Sequence, residues 1–160
     1  STFWFTIQST EANHQAIKKE VRQSPQLEQG LNILIAEDNA VNQMVIKGLL
    51  KREQHKTTIT PNGQEVVDTF TKTPEAYDLI LMDCEMPKMD GFTATKHIRL
   101  IETQLELPET LIFALTAHAT NEHKEQAIQC GMNDFLIKPI AIDQLRLALS
   151  KAQNKIKQKN

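Results

Sequence analysis

Five short apolar runs alternate with stretches of helical periodicity after Gly30, and this alternation restricts the possible folds more than any other feature of the chain. The runs occupy residues 31–36, 57–60, 79–82, 111–115 and 135–137. Strands that are apolar on both faces need helices that cover both faces. The pattern therefore predicts the α/β class, with a doubly wound sheet of five parallel strands and helices on both sides.

The predicted helices lie between and after these runs, near residues 41–50, 64–71, 92–102, 121–129 and 142–152. In the first of them an apolar stripe is formed by Val41, Met44, Val45, Gly48 and Leu49. We interpret this stripe as the main packing face of that helix. Asn39 is expected to cap the start of the same helix, and Gly131 to cap the end of the fourth.

Composition divides the chain into unequal parts. Residues 1–8 are aromatic and β-branched, which predicts one strand without a partner nearby in sequence, and residues 9–30 have the polar character of a linker. The folded domain is expected over residues 31–153, followed by a polar Lys-rich tail over 154–160 that we interpret as a frayed, solvated helix end. The start at Ser1 without a Met predicts a piece of a longer protein.

Charge and hydropathy exclude several classes of partner. The 18 basic and 20 acidic residues leave a net charge of -2, whereas proteins that bind nucleic acid present a basic surface. No apolar run approaches the roughly 20 residues that span a bilayer, so we expect no direct membrane contact by this segment. Cys84 and Cys130 lack metal-binding spacing and are interpreted as reduced thiols of a cytoplasmic protein.

Polar residues follow four of the apolar runs, at positions where a parallel sheet gathers its functional groups. Glu37 and Asp38 follow the first run, and the other three are Asp83, Thr116 and Lys138. Three carboxylates close together repel each other by about 4 kcal/mol per pair at 4 Å and an effective dielectric near 20. A hard divalent cation such as Mg²⁺, together with Lys138, would offset that repulsion. Asp83, on a central strand, is then the natural nucleophile for a phosphoryl group.

Four ordered motifs carry a resemblance to a known family. They are Ile-Leu-Ile-Ala-Glu-Asp-Asn at 33–39, Asp-Leu-Ile-Leu-Met-Asp-Cys-Glu-Met-Pro-Lys-Met-Asp-Gly at 78–91, Ala-Leu-Thr-Ala-His-Ala at 114–119 and Gly-Met-Asn-Asp-Phe-Leu-Ile-Lys-Pro at 131–139. With these motifs, residues 31 to about 152 resemble the receiver domain of response regulators, the CheY-like family with a flavodoxin-like fold. The resemblance implies the strand order 2-1-3-4-5.

The resemblance also implies a role for each residue of the cluster. Asp83 would be the phosphoacceptor, and Asp38 and Asp83 would bind Mg²⁺ or Mn²⁺ directly. Glu37 would contribute through water and Glu85 through its backbone carbonyl. Thr116 and Lys138 would contact the phosphoryl group, and the Lys138–Pro139 peptide is similar to one that the family usually holds cis.

The family's conformational switch couples the Thr hydroxyl to an aromatic side chain, and Phe135 occupies that place here. Many relatives have Tyr there, so this chain lacks the phenol hydroxyl and its switch would depend on packing. Glu85 and His118 stand where relatives tune the lifetime of the phosphoryl group. His118 and His123 lie near a helix start, and we interpret both as solvated side chains rather than metal ligands.

Further similarities concern the parent protein. Asn39 and the Asn42-Gln43 pair are similar to receivers attached to hybrid sensor kinases, and Ser-Thr-Phe-Trp-Phe-Thr at 1–6 resembles the closing strand of a kinase ATP-binding domain. These similarities imply a fragment of a hybrid histidine kinase whose parent is anchored in the inner membrane. The donor would be a His-containing phosphotransfer domain or a kinase dimerisation domain. Without an ATP-binding motif or a phosphorylatable His helix, this piece is not expected to phosphorylate itself from ATP.

The sequence allows two interpretations of the surface that would meet that donor. Ile46 and Leu50 form a second apolar pair on the first helix, rotated away from the main stripe. They are either extended core contacts or, with Pro139, Ile140 and Ala141, a docking patch for a four-helix His-containing partner.

Two alternative functions remain open from the sequence. A haloacid-dehalogenase-like phosphohydrolase also uses Asp, Thr and Lys with Mg²⁺, and Asp83 and Glu85 faintly match its paired-acid motif. Its nucleophile, however, usually follows the first strand of its motif series, and no substrate-covering cap is evident here. A pseudo-receiver that only binds protein is disfavoured because all five chemical positions are filled.

Overall fold

The computed structural model describes residues 30–159, so the predicted strand at 1–8 and nearly all of the predicted linker lie outside the described residues. Strands and helices alternate along the described chain. The strands are β1 Asn32–Ala36, β2 Lys56–Thr60, β3 Leu79–Asp83, β4 Leu111–Thr116 and β5 Asp134–Ile137. The helices are α1 Ala40–Arg52, α2 Gly63–Lys72, α3 Gly91–Gln104, α4 Asn121–Cys130 and α5 Ile142–Lys159.

The five strands form one parallel sheet in the order β2-β1-β3-β4-β5, as the sequence predicts. β3 and β4 are buried along their whole length because other strands flank them and helices cover both faces. The order reverses between β1 and β3, so their connections leave on opposite faces and open a crevice at the carboxyl ends. This crevice is where the candidate site lies.

Two hydrophobic clusters hold the helices against the sheet. On one face α1 and α5 contribute Ile46, Leu50, Leu145 and Leu149 to a cluster with alternate residues of the central strands. On the other face α2, α3 and α4 contribute Val66, Phe70, Ile98 and Ala127, among others, to the second cluster. The central strands β1, β3 and β4 are therefore covered on both faces, and the polar residues that follow them lie at the carboxyl edge of the sheet.

The orientation of α1 differs from the prediction. Val41, Met44 and Val45 are exposed, with Met44 at 75%, whereas Ile46 and Leu50 are buried in the core. Hydrophobic spacing shows which residues share a helix face but not which face meets the sheet when a helix has two apolar faces. Ile46 and Leu50 are therefore core contacts, and their alternative interpretation as a docking patch is wrong.

The last helix is longer than predicted. α5 continues through Lys159 rather than ending near residue 152, so 154–159 belong to a helix and not to a frayed end. Ile156 lies four residues after the buried Ala152 and packs against the core cluster of α1 and α5. One apolar residue thus extends the packing stripe by a turn within an otherwise polar segment. Asn160 lies outside the described residues.

Local signals at the helix ends agree with the prediction. The Asn39 side chain accepts hydrogen bonds from the backbone N–H groups of Val41 and Asn42 and caps α1, while Gly131 ends α4 with φ at 105°. The Lys138–Pro139 peptide bond is cis. Among residues 30–159, no helix combines the length and the apolar character that a membrane crossing requires.

Candidate functional site

Three carboxylates converge where β1 and β3 end. Glu37 and Asp38 directly follow β1, and Asp83 is the last residue of β3. One carboxylate oxygen of each lies within 4.8 Å of the others. They line a cleft of about 260 Å³ to which Glu85, Thr116 and Lys138 also contribute. The structure thus brings together all six residues that the sequence assigned to phosphoryl and metal chemistry.

Lys138 links two of the acids. Its ammonium Nζ lies 2.8 Å from Oε2 of Glu37 and 2.9 Å from Oδ2 of Asp83. All three side chains are largely buried, so the charges interact in an environment that screens them weakly. Lys138 follows β5 at the far edge of the sheet, and its long side chain reaches across the end of β4 to the acids. One cation therefore faces two buried anions, and a third, Asp38, stands at the surface.

Glu37 is held in place by the start of α1. Its Oε1 accepts hydrogen bonds from the Asn39 N–H at 3.1 Å and from Asn42 Nδ2 at 3.4 Å. Gln43 Nε2 donates to the Glu37 carbonyl oxygen at 2.7 Å. We noted Asn42 and Gln43 in the sequence only as a similarity, and their support of a buried carboxylate was not predicted. The signal that would have revealed it is the position of two amide side chains in the first turn after the acids.

The protein environment shifts the pKa values of the two buried acids in opposite directions. Burial raises the pKa of Asp83 to about 7; the hydrogen bond from Lys138 opposes this shift, and the negative charge of Glu37 adds to it. Burial acts on Glu37 in the same direction, but hydrogen bonds from Lys138 and Asn39 outweigh it and its pKa is lowered. For Lys138 burial acts to lower the pKa, but contacts with the carboxylates of Glu37 and Asp83 outweigh burial, and the pKa is raised. The proton that this cluster takes up near neutral pH therefore belongs on Asp83.

The oxygen donors of the cleft suit a hard divalent cation. Oε2 of Glu37 is buried and faces the ammonium of Lys138 at 2.8 Å. Asp38 is exposed, and both Asp38 and the buried Asp83 line this cleft. Mg²⁺ prefers one or two carboxylates and keeps several of its waters. The donor set therefore fits Mg²⁺, with net negative charge left over for it to neutralise.

The loop after Asp83 is pinned by the start of α3. The Gly91 N–H donates to the Cys84 carbonyl at 3.1 Å, and the Glu85 N–H donates to Asp83 Oδ1 at 3.1 Å. A Cβ at Gly91 would lie 2.1 Å from the Asp83 carbonyl oxygen, so the helix can approach this closely only with glycine there. Gly91 thus allows α3 to begin directly against the backbone of Asp83.

The hydroxyl of Thr116 is engaged by the loop that follows it. It donates to the His118 carbonyl oxygen at 3.0 Å and accepts from the His118 N–H at 3.1 Å. Phe135 pairs with Ala114 across β4 and β5, so its side chain is on the same face of the sheet as that of Thr116. The ring is half-buried, and the ammonium of Lys124 lies 4.7 Å from its centroid. Such a cation contact favours the present ring position.

The remaining predicted residues lie in three places. Glu85 and His118 meet at the rim of the cleft, where Oε1 and Nε2 are 3.6 Å apart and both side chains are mostly exposed. Pro139 is exposed and Ile140 is half-buried just beyond Lys138. Ile46 and Leu50 lie in the core and take no part in this surface.

Comparison with known proteins gives a consistent family match. A family model described as the response regulator receiver domain matches residues 33–150. The hybrid signal transduction histidine kinase K of Dictyostelium discoideum is 34% identical over an alignment of 159 positions that covers 95% of this chain and 13% of that kinase. The chain spans only 4% to 13% of the length of three such hybrid kinases.

Solved structures with a similar fold include receiver domains. The receiver domain of the sensor histidine kinase PA1611 from Pseudomonas aeruginosa is 39% identical, with a TM-score of 0.66 over 76% of this chain and 96% of that one. Its active-site cleft coordinates a magnesium ion. The Saccharomyces cerevisiae complex of the histidine phosphotransfer protein Ypd1 with the Ssk1 receiver domain contains a chain 32% identical, with a TM-score of 0.69 over 74% and 85% of the two chains.

Proposed function

The chain belongs to the response regulator receiver domain family, and on that premise we propose that Asp83 accepts a phosphoryl group from a phosphohistidine in a two-component phosphorelay. The observation that carries this proposal is the convergence of Glu37, Asp38 and Asp83 beside the ammonium of Lys138. That arrangement leaves one carboxylate accessible from a cleft and surrounds it with groups that stabilise charge on a transferring phosphoryl group.

Phosphoryl transfer requires the ionised form of Asp83. A carboxylate oxygen forms the new bond to phosphorus, while the bond from phosphorus to the donor imidazole nitrogen breaks and its electron pair leaves on that nitrogen. The Glu85 N–H and Lys138 Nζ fix the two oxygens of the Asp83 carboxylate from opposite sides. Lys138 is then in a position to neutralise charge on an equatorial phosphoryl oxygen.

We assign the cation of this site to Asp38, Asp83, the Glu85 carbonyl and, through water, Glu37. Mg²⁺ is the expected resident ion, and Mn²⁺, which also prefers oxygen ligands, should substitute for it. When bound, the cation supplies positive charge that offsets the repulsion between the acids and the incoming phosphoryl oxygens. Hydrogen bonds from the side-chain amides of Asn42 and Gln43 fix the position of Glu37 beside the cation site.

The phosphorylated state would be read out through Thr116 and Phe135. The Thr116 hydroxyl can leave the His118 backbone and donate to a phosphoryl oxygen, which opens space toward which the half-buried Phe135 can turn. Glu85 and His118, at the rim of the cleft, are placed to tune access of water to the acyl phosphate. The phosphoryl group would then be relayed to a second His or change the affinity for a partner.

A small-molecule phosphodonor provides the direct test of this function. With acetyl phosphate and Mg²⁺ we expect one phosphoryl group per chain, with the base lability of an acyl phosphate and slow loss. Chelation of the metal should lower the labelling rate by at least about 100-fold, because such a cation contributes several kcal/mol to charge stabilisation. Addition of Mn²⁺ should restore it. Rapid multiple turnover with little accumulated label would instead indicate a haloacid-dehalogenase-like hydrolase.

The exposed face of α1 is the surface that we assign to the phosphohistidine donor. Val41, Met44 and Val45 form a solvent-facing apolar patch on the helix that begins beside Asp38, and Pro139 is exposed beyond Lys138 on the other side of the cleft. A helical His-containing domain that covers this patch would bring its imidazole to the cleft. The Ssk1 receiver, which resembles this chain, is known in complex with a histidine phosphotransfer protein, and that supports a partner of this type.

The double variant Met44→Ser with Val45→Ser should slow phosphotransfer from a His-containing domain roughly 30-fold, since two interface side chains that each contribute on the order of 1 kcal/mol together contribute about 2 kcal/mol. Labelling by acetyl phosphate should stay at the wild-type rate because both side chains lie outside the cleft. Leu100→Ser, an equally exposed apolar position on α3, is the matched control and should affect neither donor. Equal slowing with both donors would rule out the docking role.

The parent protein is best interpreted as a hybrid histidine kinase. Similarity to kinase K over 95% of this chain extends beyond the receiver domain, which supports a hybrid kinase as the parent. Within that parent, we propose that residues 1–8 close a kinase ATP-binding domain and that 9–30 link it to the receiver. A cytoplasmic receiver attached to a membrane-anchored kinase is consistent with this organisation. Kinase activity, if present, would reside in the parent protein, and the receiver would catalyse only its own phosphotransfer and dephosphorylation.

A further inference from the structure

The ring of Phe135 contacts a cation as well as its apolar packing partners. The ammonium of Lys124 lies over the ring, 4.7 Å from its centroid, and both side chains are half-buried. Within the described part of the chain, Lys124 forms no ion pair that would compete for its charge. An ammonium within about 6 Å of an aromatic face is attracted by the negative charge of that face. The contact therefore ties α4 to the expected switch residue on β5.

Lys124 lies on the segment that connects the two residues of the switch. The Thr116 hydroxyl exchanges hydrogen bonds with the His118 backbone, in the loop that leads into α4. The Lys124 N–H donates to the carbonyl oxygen of Thr120, which caps α4, so Lys124 belongs to the first turn of that helix. A displacement of this loop together with Thr116 would therefore reach the contact between Lys124 and Phe135 through a short, hydrogen-bonded stretch of chain.

We propose that Lys124 is a positioning residue that holds Phe135 in its present place and thereby opposes the switch to the phosphorylated state. When Thr116 leaves the His118 backbone, Phe135 can turn toward the space that opens, and the ring then moves away from the ammonium. Because the contact favours only the present ring position, it lowers the population of the state that retains a phosphoryl group. This inference rests on the proposed function, since it concerns the readout of phosphorylation at Asp83.

The affinity for beryllofluoride, a stable mimic of the phosphoryl group, measures this effect at equilibrium in saturating Mg²⁺. An affinity that depends on a minor conformation rises in proportion to the population of that conformation. A cation contact of this kind at a partly exposed site changes such a population about two- to five-fold. Lys124→Gln should therefore bind beryllofluoride about two- to five-fold more tightly than the wild type. Loss of a positive charge would by itself weaken the binding of an anion, so the expected change has the opposite sign.

Fluorination of the Phe135 ring separates the charge contact from packing. A trifluorinated phenylalanine at this position nearly keeps the shape of the ring but withdraws negative charge from its faces, so it should tighten binding by a similar factor. In Lys124→Gln the same fluorination should have no further effect. Lys124→Arg retains the cation and should resemble the wild type. Lys96→Gln, which removes an exposed lysine of α3, is the matched control and should not tighten binding.

Two results would overturn the proposal: unchanged or weaker binding in Lys124→Gln, or equal tightening by Lys124→Gln whether or not the ring is fluorinated, which would place its action outside the ring. Failure of the proposed function would look different, because the wild type would then bind no beryllofluoride. In that case a coupling between Lys124→Gln and ring fluorination in urea unfolding would still support the contact, and additive effects would disprove it.

Discussion

Asp83→Asn is expected to increase the free energy of unfolding at pH 8 in metal-free buffer, by up to about 4 kcal/mol. Most single substitutions destabilise a protein, and this one should not, because the wild-type site confines two carboxylates with one ammonium. The buried Asp83 has a pKa of about 7, compared with an ordinary value of 3.8. Removing its charge relieves the cost of burying it and its repulsion by Glu37.

The sign of the pH dependence follows from this raised pKa. Between about pH 4 and pH 7 the folded state retains a proton on Asp83 that the unfolded state has released, so stability falls as pH rises. Below pH 4 both states are protonated and the favourable contribution is fully present, and above pH 7 it is lost. The advantage of Asp83→Asn should therefore be small at pH 4, grow through the interval and level off above pH 7.

Urea unfolding at pH 4 and pH 8 in the presence of a chelator measures this difference. Asp68→Asn, at an exposed position on α2, is the control and should change stability little at either pH. Saturating Mg²⁺ should stabilise the wild type and not Asp83→Asn, because the cation offsets the same repulsion. An Asp83→Asn variant that is less stable than the wild type at pH 8 would contradict the electrostatic description of the site.

Lys138→Met should have the opposite effect, lowering the free energy of unfolding by about 3–5 kcal/mol at pH 8 without metal. The substitution keeps an unbranched side chain that is one atom shorter, but it leaves Glu37 and Asp83 facing each other, buried and without a compensating charge. The loss should shrink at pH 4, where carboxylates take up protons, and on addition of Mg²⁺. Phosphoryl labelling should fall as well, because Lys138 contacts the reacting carboxylate.

Lys151→Met provides the matched control for this prediction. Lys151 also forms an ion pair at 2.9 Å, with Asp134, but on the surface, where such a pair contributes up to about 1 kcal/mol. If Lys138→Met cost no more stability than Lys151→Met, the buried pair would not have the energetic role assigned to it. Combining Lys138→Met with Asp83→Asn should recover much of the lost stability, since only Glu37 then remains charged.

The positions of the site residues could be predicted from sequence because the parallel topology of the sheet determines where the residues that follow each strand lie. Asp83 and Lys138 are 55 positions apart in sequence, yet both follow apolar runs, and the carboxyl ends of parallel strands meet at one edge of the sheet. Once the alternation of strands and helices was recognised, the convergence of acids and lysine followed. The observed contacts of 2.8 and 2.9 Å add only the final geometry.

Features that depend on helix rotation and burial could not be predicted from the sequence. The exposed Met44 and the buried Leu50 both belong to plausible apolar faces, and only the path of the chain from β1 into α1 decides which face meets the sheet. The support of Glu37 by Asn42 and Gln43 is equally a matter of rotation. The raised pKa of Asp83 depends on how completely neighbouring residues exclude water, which no local pattern encodes.

The most direct test is to locate the phosphoryl group itself. The chain is phosphorylated by a His-containing phosphotransfer domain in the presence of Mg²⁺, reduced with borohydride to convert any acyl phosphate to homoserine, and mapped by peptide mass spectrometry. We predict homoserine at position 83 alone, and none in Asp83→Asn or in the chelated sample. Modification of another residue, or label that persists in Asp83→Asn at the wild-type rate, would contradict the assignment of Asp83 as the phosphoacceptor.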